Sequence, residues 1–158
     1  MADRDAEFMQ EALALARHGI EQGHGGPFGA LVVHEGRIVG RGWNQVVKRN
    51  DPTAHAEMQA IREACQNLQT YHLNDAVLYT TCQPCPMCLS AAYWAHISRL
   101  VYAAEAGDAT AIGFDDHRIE EELQRPPEQR SMPSRQVLRE ESLELFALWR
   151  NSALRTEY

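Results

Sequence analysis

Two short runs, His55-Ala56-Glu57 and Pro84-Cys85-Pro86-Met87-Cys88, constrain this chain more than any other feature of it. Imidazole nitrogen and thiolate sulfur are donors that zinc prefers, and a catalytic zinc site takes three such ligands and keeps its fourth position for water. Two cysteines three apart at a helix start lie on one face, where free backbone N–H groups favour thiolate over thiol. Asp51-Pro52-Thr53 offers a cap and a first-turn proline, so the pattern predicts a helix over about 53–68 with His55 near its start. A fold that uses these residues must therefore aim two helix N-termini at one metal. Glu57 lies two residues beyond His55, badly placed to share the ligand role but close enough to move a proton between water and a substrate.

The remainder of the chain supplies a scaffold for this convergence. Apolar residues recur at helical spacing over 4–22, with Asp3 or Asp5 near the start, and the glycines of 23–27 end that helix. Residues 28–34 and 37–43 read as two strands joined at Glu35-Gly36, a hairpin signal, and 44–51 as polar loop. A strand over 76–81, a helix from the prolines to about His96 and a strand over 99–103 follow. A helix at 116–123, an extended piece at 133–138 and a helix at 142–153 complete the pattern. Helices alternating with strands indicate an α/β chain in which a mixed sheet is sandwiched between helices. A length of 158 residues suits one domain, 1–158, with the part after Ala109 as an appendage.

Charge and cysteine usage narrow the function classes. The formal net charge is −7, with no basic patch of the kind that binds nucleic acid tightly, so a small substrate is expected and no nucleic acid. The first residues lack the apolar core of a signal peptide, and no stretch approaches the ~18 apolar residues of a membrane span. Three of the four cysteines crowd into 82–88, which points to metal or redox chemistry in a reducing cytoplasm rather than to a secreted disulfide framework.

Two other readings of the cysteines compete. Cys85 and Cys88 match a redox dithiol, but such a pair has no use for the upstream His-x-Glu. The run Cys82 to Cys88 matches the start of an iron–sulfur motif, but position 92, where a fourth cysteine is expected, is alanine. Cys82 reads better as a strand-end core residue and Cys65 as part of a helix's apolar stripe. An H-x-E joined to a P-C-x-x-C is instead the signature of zinc-dependent nucleobase deaminases. A structural zinc module fits less well, because structural sites are closed by four protein ligands.

The chain also resembles the cytidine-deaminase-like superfamily, and within it the bacterial guanine deaminases. The resemblance is carried by Gly25-Gly26-Pro27-Phe28-Gly29-Ala30, Asn44, Asp51 to Glu57, Cys82 to Cys88, Tyr93-Trp94-Ala95, Gly113-Phe114-Asp115-Asp116, Phe146 to Asn151 and the terminal Glu157-Tyr158. It implies a sheet of about five strands in a three-layer α/β/α sandwich, and one zinc per chain on His55, Cys85 and Cys88. It further implies attack of zinc-activated water on C2 of guanine, with release of ammonia and xanthine. Glu57 would shuttle the proton and Asp116 would serve the departing amine. Asn44 would read the purine edge, Ala56 would line the substrate site, and Phe28 and Trp94 would help wall the ring. The resemblance implies a homodimer whose C-terminal segment, about 142–158, swaps between subunits as a lid that brings Tyr158 to the base. Guanosine, an aminotriazine and adenosine in tRNA are alternative substrates on the same scaffold. The sequence departs from the family pattern at Gln83, where Glu is usual.

Overall fold

A computed structural model of the chain describes residues 4–158, so Asp3 lies outside the described residues. The chain divides into two compact units, one ending at Asp116 and one spanning His117–Tyr158. In the first, helix α1 (Arg4–Glu21) is followed by the hairpin β1 (Gly29–His34) and β2 (Arg37–Trp43), a short α2 (Val46–Arg49) and α3 (Ala56–Leu68). Then come β3 (Val77–Cys82), α4 (Pro86–Trp94), β4 (Arg99–Ala104) and α5 (Ala106–Ala111). The sheet order is β2-β1-β3-β4, antiparallel except for β3 beside β4. Parallel neighbours need a crossover, and α4 provides it, so the residues leading into α4 are held at the carboxyl end of β3.

Strand periodicity sorts the core into two layers. Ala30, Val32 and Leu78 face α3 and α4 and pack with Ala56, Ala60, Ala64 and Ala92. Leu31, Val33 and Tyr79 face the other way, onto Ala12, Phe8 and Met9 of α1. The result is an α/β/α sandwich. A polar latch ties α1 to the sheet: Asp5 accepts from the Tyr79 hydroxyl at 2.6 Å and from the Arg99 guanidinium at 2.8 and 2.9 Å. Those donors, Arg99 first, hold the Asp5 carboxyl down at about 2.

Helix α3 lies unusually close to β2, and two glycines allow it. A Cβ at Gly42 would fall on the Ala56 carbonyl oxygen and 2.7 Å from the Ala60 nitrogen, and one at Gly40 would meet the backbone one turn further on. The alanines at 56, 60 and 64 complete the close approach. Gly42→Ala should therefore push the start of α3, and His55 with it, off the sheet. Overpacking of this kind costs about 1–3 kcal/mol, and at this chain length each kcal/mol lowers Tm by roughly 2–4 °C. Thermal unfolding of the variant measures this, and an unchanged Tm would show that α3 shifts freely.

Some boundaries differ from those the sequence suggests. Asp51-Pro52-Thr53 does not open α3: Asp51 Oδ1 accepts from the Thr53 backbone at 2.8 Å and its hydroxyl at 2.7 Å, closing a local turn. The helix begins three residues later, with His55 in extended conformation at its N-cap. Residues 44–51, expected as loop, contain α2, and α5 was not anticipated. Among the described residues the sheet has four strands, close to the five or so expected. Residues 133–138 form no strand, and in this segment Pro133 has no N–H to donate while Leu138 is left-handed, at φ 52°. In the second unit α6 (His117–Gln124), a single 3-10 turn (Pro127–Gln129) and α7 (Arg139–Arg150) are formed, the last beginning earlier than the expected 142. No described helix is long and apolar enough to cross a membrane.

Candidate active site

Both ligand runs sit where a strand or turn delivers the chain into a helix. His55 is the N-cap of α3 and Cys85 the N-cap of α4, each extended, so their side chains project ahead of the helices they precede. Pro86 follows at the first helical position of α4, where its missing N–H costs nothing. Cys88, one turn into α4, is fully buried. Among the described residues these three form a group whose ligand atoms all lie within 4.8 Å of one another.

The distances within the group carry chemical information. His55 Nδ1 is 3.6 Å from Cys85 Sγ and 3.5 Å from Cys88 Sγ. A tetrahedral ion with Zn–N of about 2.0–2.1 Å and Zn–S of about 2.3 Å requires an N···S separation of roughly 3.5–3.6 Å. The side chains thus stand at the spacing zinc would impose, with Nδ1 as the ligating nitrogen. The charges agree. A hydrogen bond from Cys88, and then the His55 ring, hold the Cys85 thiol down at about 4. Cys88 is pushed up by its hydrogen bond to Cys85, by burial and by Glu57. Two sulfurs and an imidazole nitrogen converging in this way form a donor set that a divalent cation would satisfy. Cys82 stands apart: its Sγ is turned to the Glu105 carbonyl at 3.6 Å, which fits neither an iron–sulfur run nor a fourth ligand.

Glu57 is buried on the first turn of α3, and that burial raises its pKa. The Thr80 hydroxyl lies 3.3 Å from Glu57 Oε1 and donates to the Cys82 carbonyl at 3.0 Å. A hydroxyl has one proton to give and two lone pairs. With its proton on Cys82 it accepts from a protonated Glu57, and with the proton turned back it stabilises the carboxylate. Thr80 went unnoticed in the sequence, although a signal existed: it has the core-facing parity of Leu78, so a hydroxyl there needs a buried partner.

Asn44 is buried at the end of β2. Its Oδ1 accepts from Gly26 N at 3.3 Å and Val46 N at 3.2 Å, so both lone pairs are committed to the backbone. The family resemblance implied that Asn44 reads a purine edge; in the structure its amide oxygen is taken by the backbone. The Ala56 carbonyl lies under Gly42, and the Ala56 side chain is fully buried in the core at the first position of α3. Phe28 is half-buried and meets Phe114 edge to face. Burial first, and then the charges of Glu57, Asp108 and Asp116, push the Cys82 thiol up. Trp94 ends α4, about 9 Å of helix rise beyond Cys88, and is 68% exposed. Tyr158 lies in the second unit and is 73% exposed.

Comparison with known proteins places this geometry. Residues 2–104 match the family described as the cytidine and deoxycytidylate deaminase zinc-binding region. The chain is 50% identical to the guanine deaminase of Bacillus subtilis over 151 residues, 96% of this chain and 97% of that protein. The X-ray structure of Bacillus subtilis guanine deaminase superposes with a TM-score of 0.94, covering 97% of this chain and 98% of that one. A tRNA-specific adenosine deaminase of Buchnera aphidicola is 44% identical over 107 residues, 68% of this chain and 70% of its own. With the triad at zinc spacing and the match running through it, this chain belongs to the zinc-binding cytidine and deoxycytidylate deaminase family.

Proposed function

We propose that this chain is a guanine deaminase, hydrolysing guanine to xanthine and ammonia. The observation that carries this is the reach of the similarity. At 151 aligned residues the match to the Bacillus enzyme runs into the His117–Tyr158 unit, whereas 107 aligned residues join the chain to the tRNA-specific relative. The substrate is a free purine rather than nucleic acid, in keeping with a net charge of −7. His55, Cys85 and Cys88 would hold zinc, which when bound would supply Lewis acidity and bring the pKa of a water to near neutrality.

The protein's own groups then manage protons and orientation. Glu57 takes a proton from the attacking water and passes it to a ring nitrogen of guanine as the oxygen adds to C2. The Thr80 hydroxyl pairs with Glu57 in either state. Asp116 takes the remaining proton of the added hydroxyl and delivers it to the amine, which leaves as ammonia as the C2–N bond breaks and C2=O forms. Asn44 donates from its amide to an acceptor on the base, Ala56 offers its backbone N–H, and Phe28 and Trp94 wall the ring. Ammonia release measured across guanine, guanosine, adenine and aminotriazines tests the assignment, with guanine expected to dominate. Preferred release from a nucleoside or triazine would replace it.

The working protein is a homodimer in the cytoplasm, with the tail of one subunit covering the site of its partner. Support comes from α7, where Leu145, Phe146, Leu148 and Trp149 are exposed and no residue is buried. Exposed apolar area of this extent seeks a covering surface. Four free cysteines suit a reducing compartment. Deleting Arg155 to Tyr158 should leave zinc and dimer intact but impair guanine turnover, because a lid excludes water from the closed site. Light scattering with xanthine formation checks both, and full activity in the truncation would remove Tyr158 from the site.

A further inference from the structure

Phe114 has no assigned role, yet it joins two parts of the site that the sequence keeps far apart. Helix α5 ends in a left-handed stop at Gly113, φ 98°, with Gly113 N bonded to Thr110 O at 3.0 Å and Phe114 N to Ala109 O at 3.0 Å. This double closure sets the direction in which the chain leaves the helix. It sends the Phe114 ring onto Phe28, centroid to centroid at 5.0 Å and 87° between planes. Gly26 lies beneath both rings: a Cβ there would stand 2.8 Å from Phe114 Cζ and 2.9 Å from Phe28 Cε2. Gly26 N donates to Asn44 Oδ1, Phe28 N to the Gly26 carbonyl at 2.9 Å, and Asn44 N to the Phe28 carbonyl at 3.0 Å. Phe114, Phe28, Gly26 and Asn44 therefore form one continuous packed chain of contacts.

We infer that Phe114 is a positioning residue that sets the spacing between the base-reading wall of Asn44 and Phe28 and the carboxylate of Asp116, two residues further along. The inference rests on the guanine deaminase reading for its substrate but not for its geometry. Without the ring, Phe28 loses its edge-to-face partner and the 115–116 segment loses an aromatic anchor beside it, so base binding and amine departure suffer together. Aromatic pairs of this geometry shift an equilibrium by roughly twofold to tenfold.

Steady-state kinetics on zinc-loaded Phe114→Ala, Phe114→Tyr and Gly26→Ala, taken well below each variant's Tm, test this. Phe114→Ala should raise KM for guanine by about fivefold and lower kcat as well, with zinc content unchanged. Phe114→Tyr, which keeps the ring edge, should restore both constants. Gly26→Ala should mimic Phe114→Ala, and combining the two should be less than additive because both act on the same ring contact. A merely structural Phe114 would lower Tm and leave KM and kcat at wild-type values, and that result overturns the inference. Wild type that releases no ammonia from guanine would instead overturn the substrate reading, and the same comparison on the purine it does deaminate would still decide Phe114.

Discussion

Glu57→Gln will retain zinc and fold while losing turnover by about 10²–10⁴-fold, the range that positioned acid–base groups contribute. The amide has the shape of the acid and can still meet the Thr80 hydroxyl, so the 3.3 Å contact in the buried pocket survives. What it lacks is a proton it can take and give back. In barrier terms the loss is about 3–5 kcal/mol, and it should appear in kcat, with purine binding little altered because the ring's partners are elsewhere. Single-turnover kinetics beside zinc analysis separate these quantities. Near-normal turnover in a zinc-loaded variant would mean that another group carries the proton.

Cys88→Ala will reduce bound zinc to a small fraction of the wild-type content and lower Tm by roughly 5–10 °C. Cys88 is the fully buried member of the triad, and His55 Nδ1 and Cys85 Sγ cannot complete a tetrahedral set without it. Loss of a ligand that binds only the folded state removes about 2.7 kcal/mol when it is present at a hundred times its Kd, and the Tm change follows at 2–4 °C per kcal/mol. Unlike a zinc finger, this unit retains two apolar layers on its sheet, so the variant stays folded. A chelator should bring wild type down to the Tm of Cys88→Ala and leave the variant unmoved. A variant that keeps its full zinc content would remove Cys88 from the ligand set.

The convergence of His55, Cys85 and Cys88 was legible in the sequence, because it depends on residue type and short spacing. His55, Glu57, Cys85 and Cys88 sit within their own helix starts, and local geometry dictates which way each projects. The hairpin and the alternation of β1 were equally readable, since a period of two sorts residues between faces wherever the strand lies. What the pattern could not supply was partnership across the chain. Pro52 looked like a helix opener, but the Asp51 carboxylate captured Thr53 locally, and such a turn competes with a helix start on equal terms. Asn44 has a donor and an acceptor on one amide, and only the approach of Gly26 and Val46 decided that its oxygen belongs to the backbone. Thr80 became the partner of Glu57 through a pairing 23 residues apart, and Phe114 reached Phe28 through a helix stop that the sequence pattern had not even shown as a helix. Local sequence determined which groups this protein could use. Tertiary packing decided which atom of each group was left to use, because a buried donor or acceptor takes its partner from whatever the fold brings beside it.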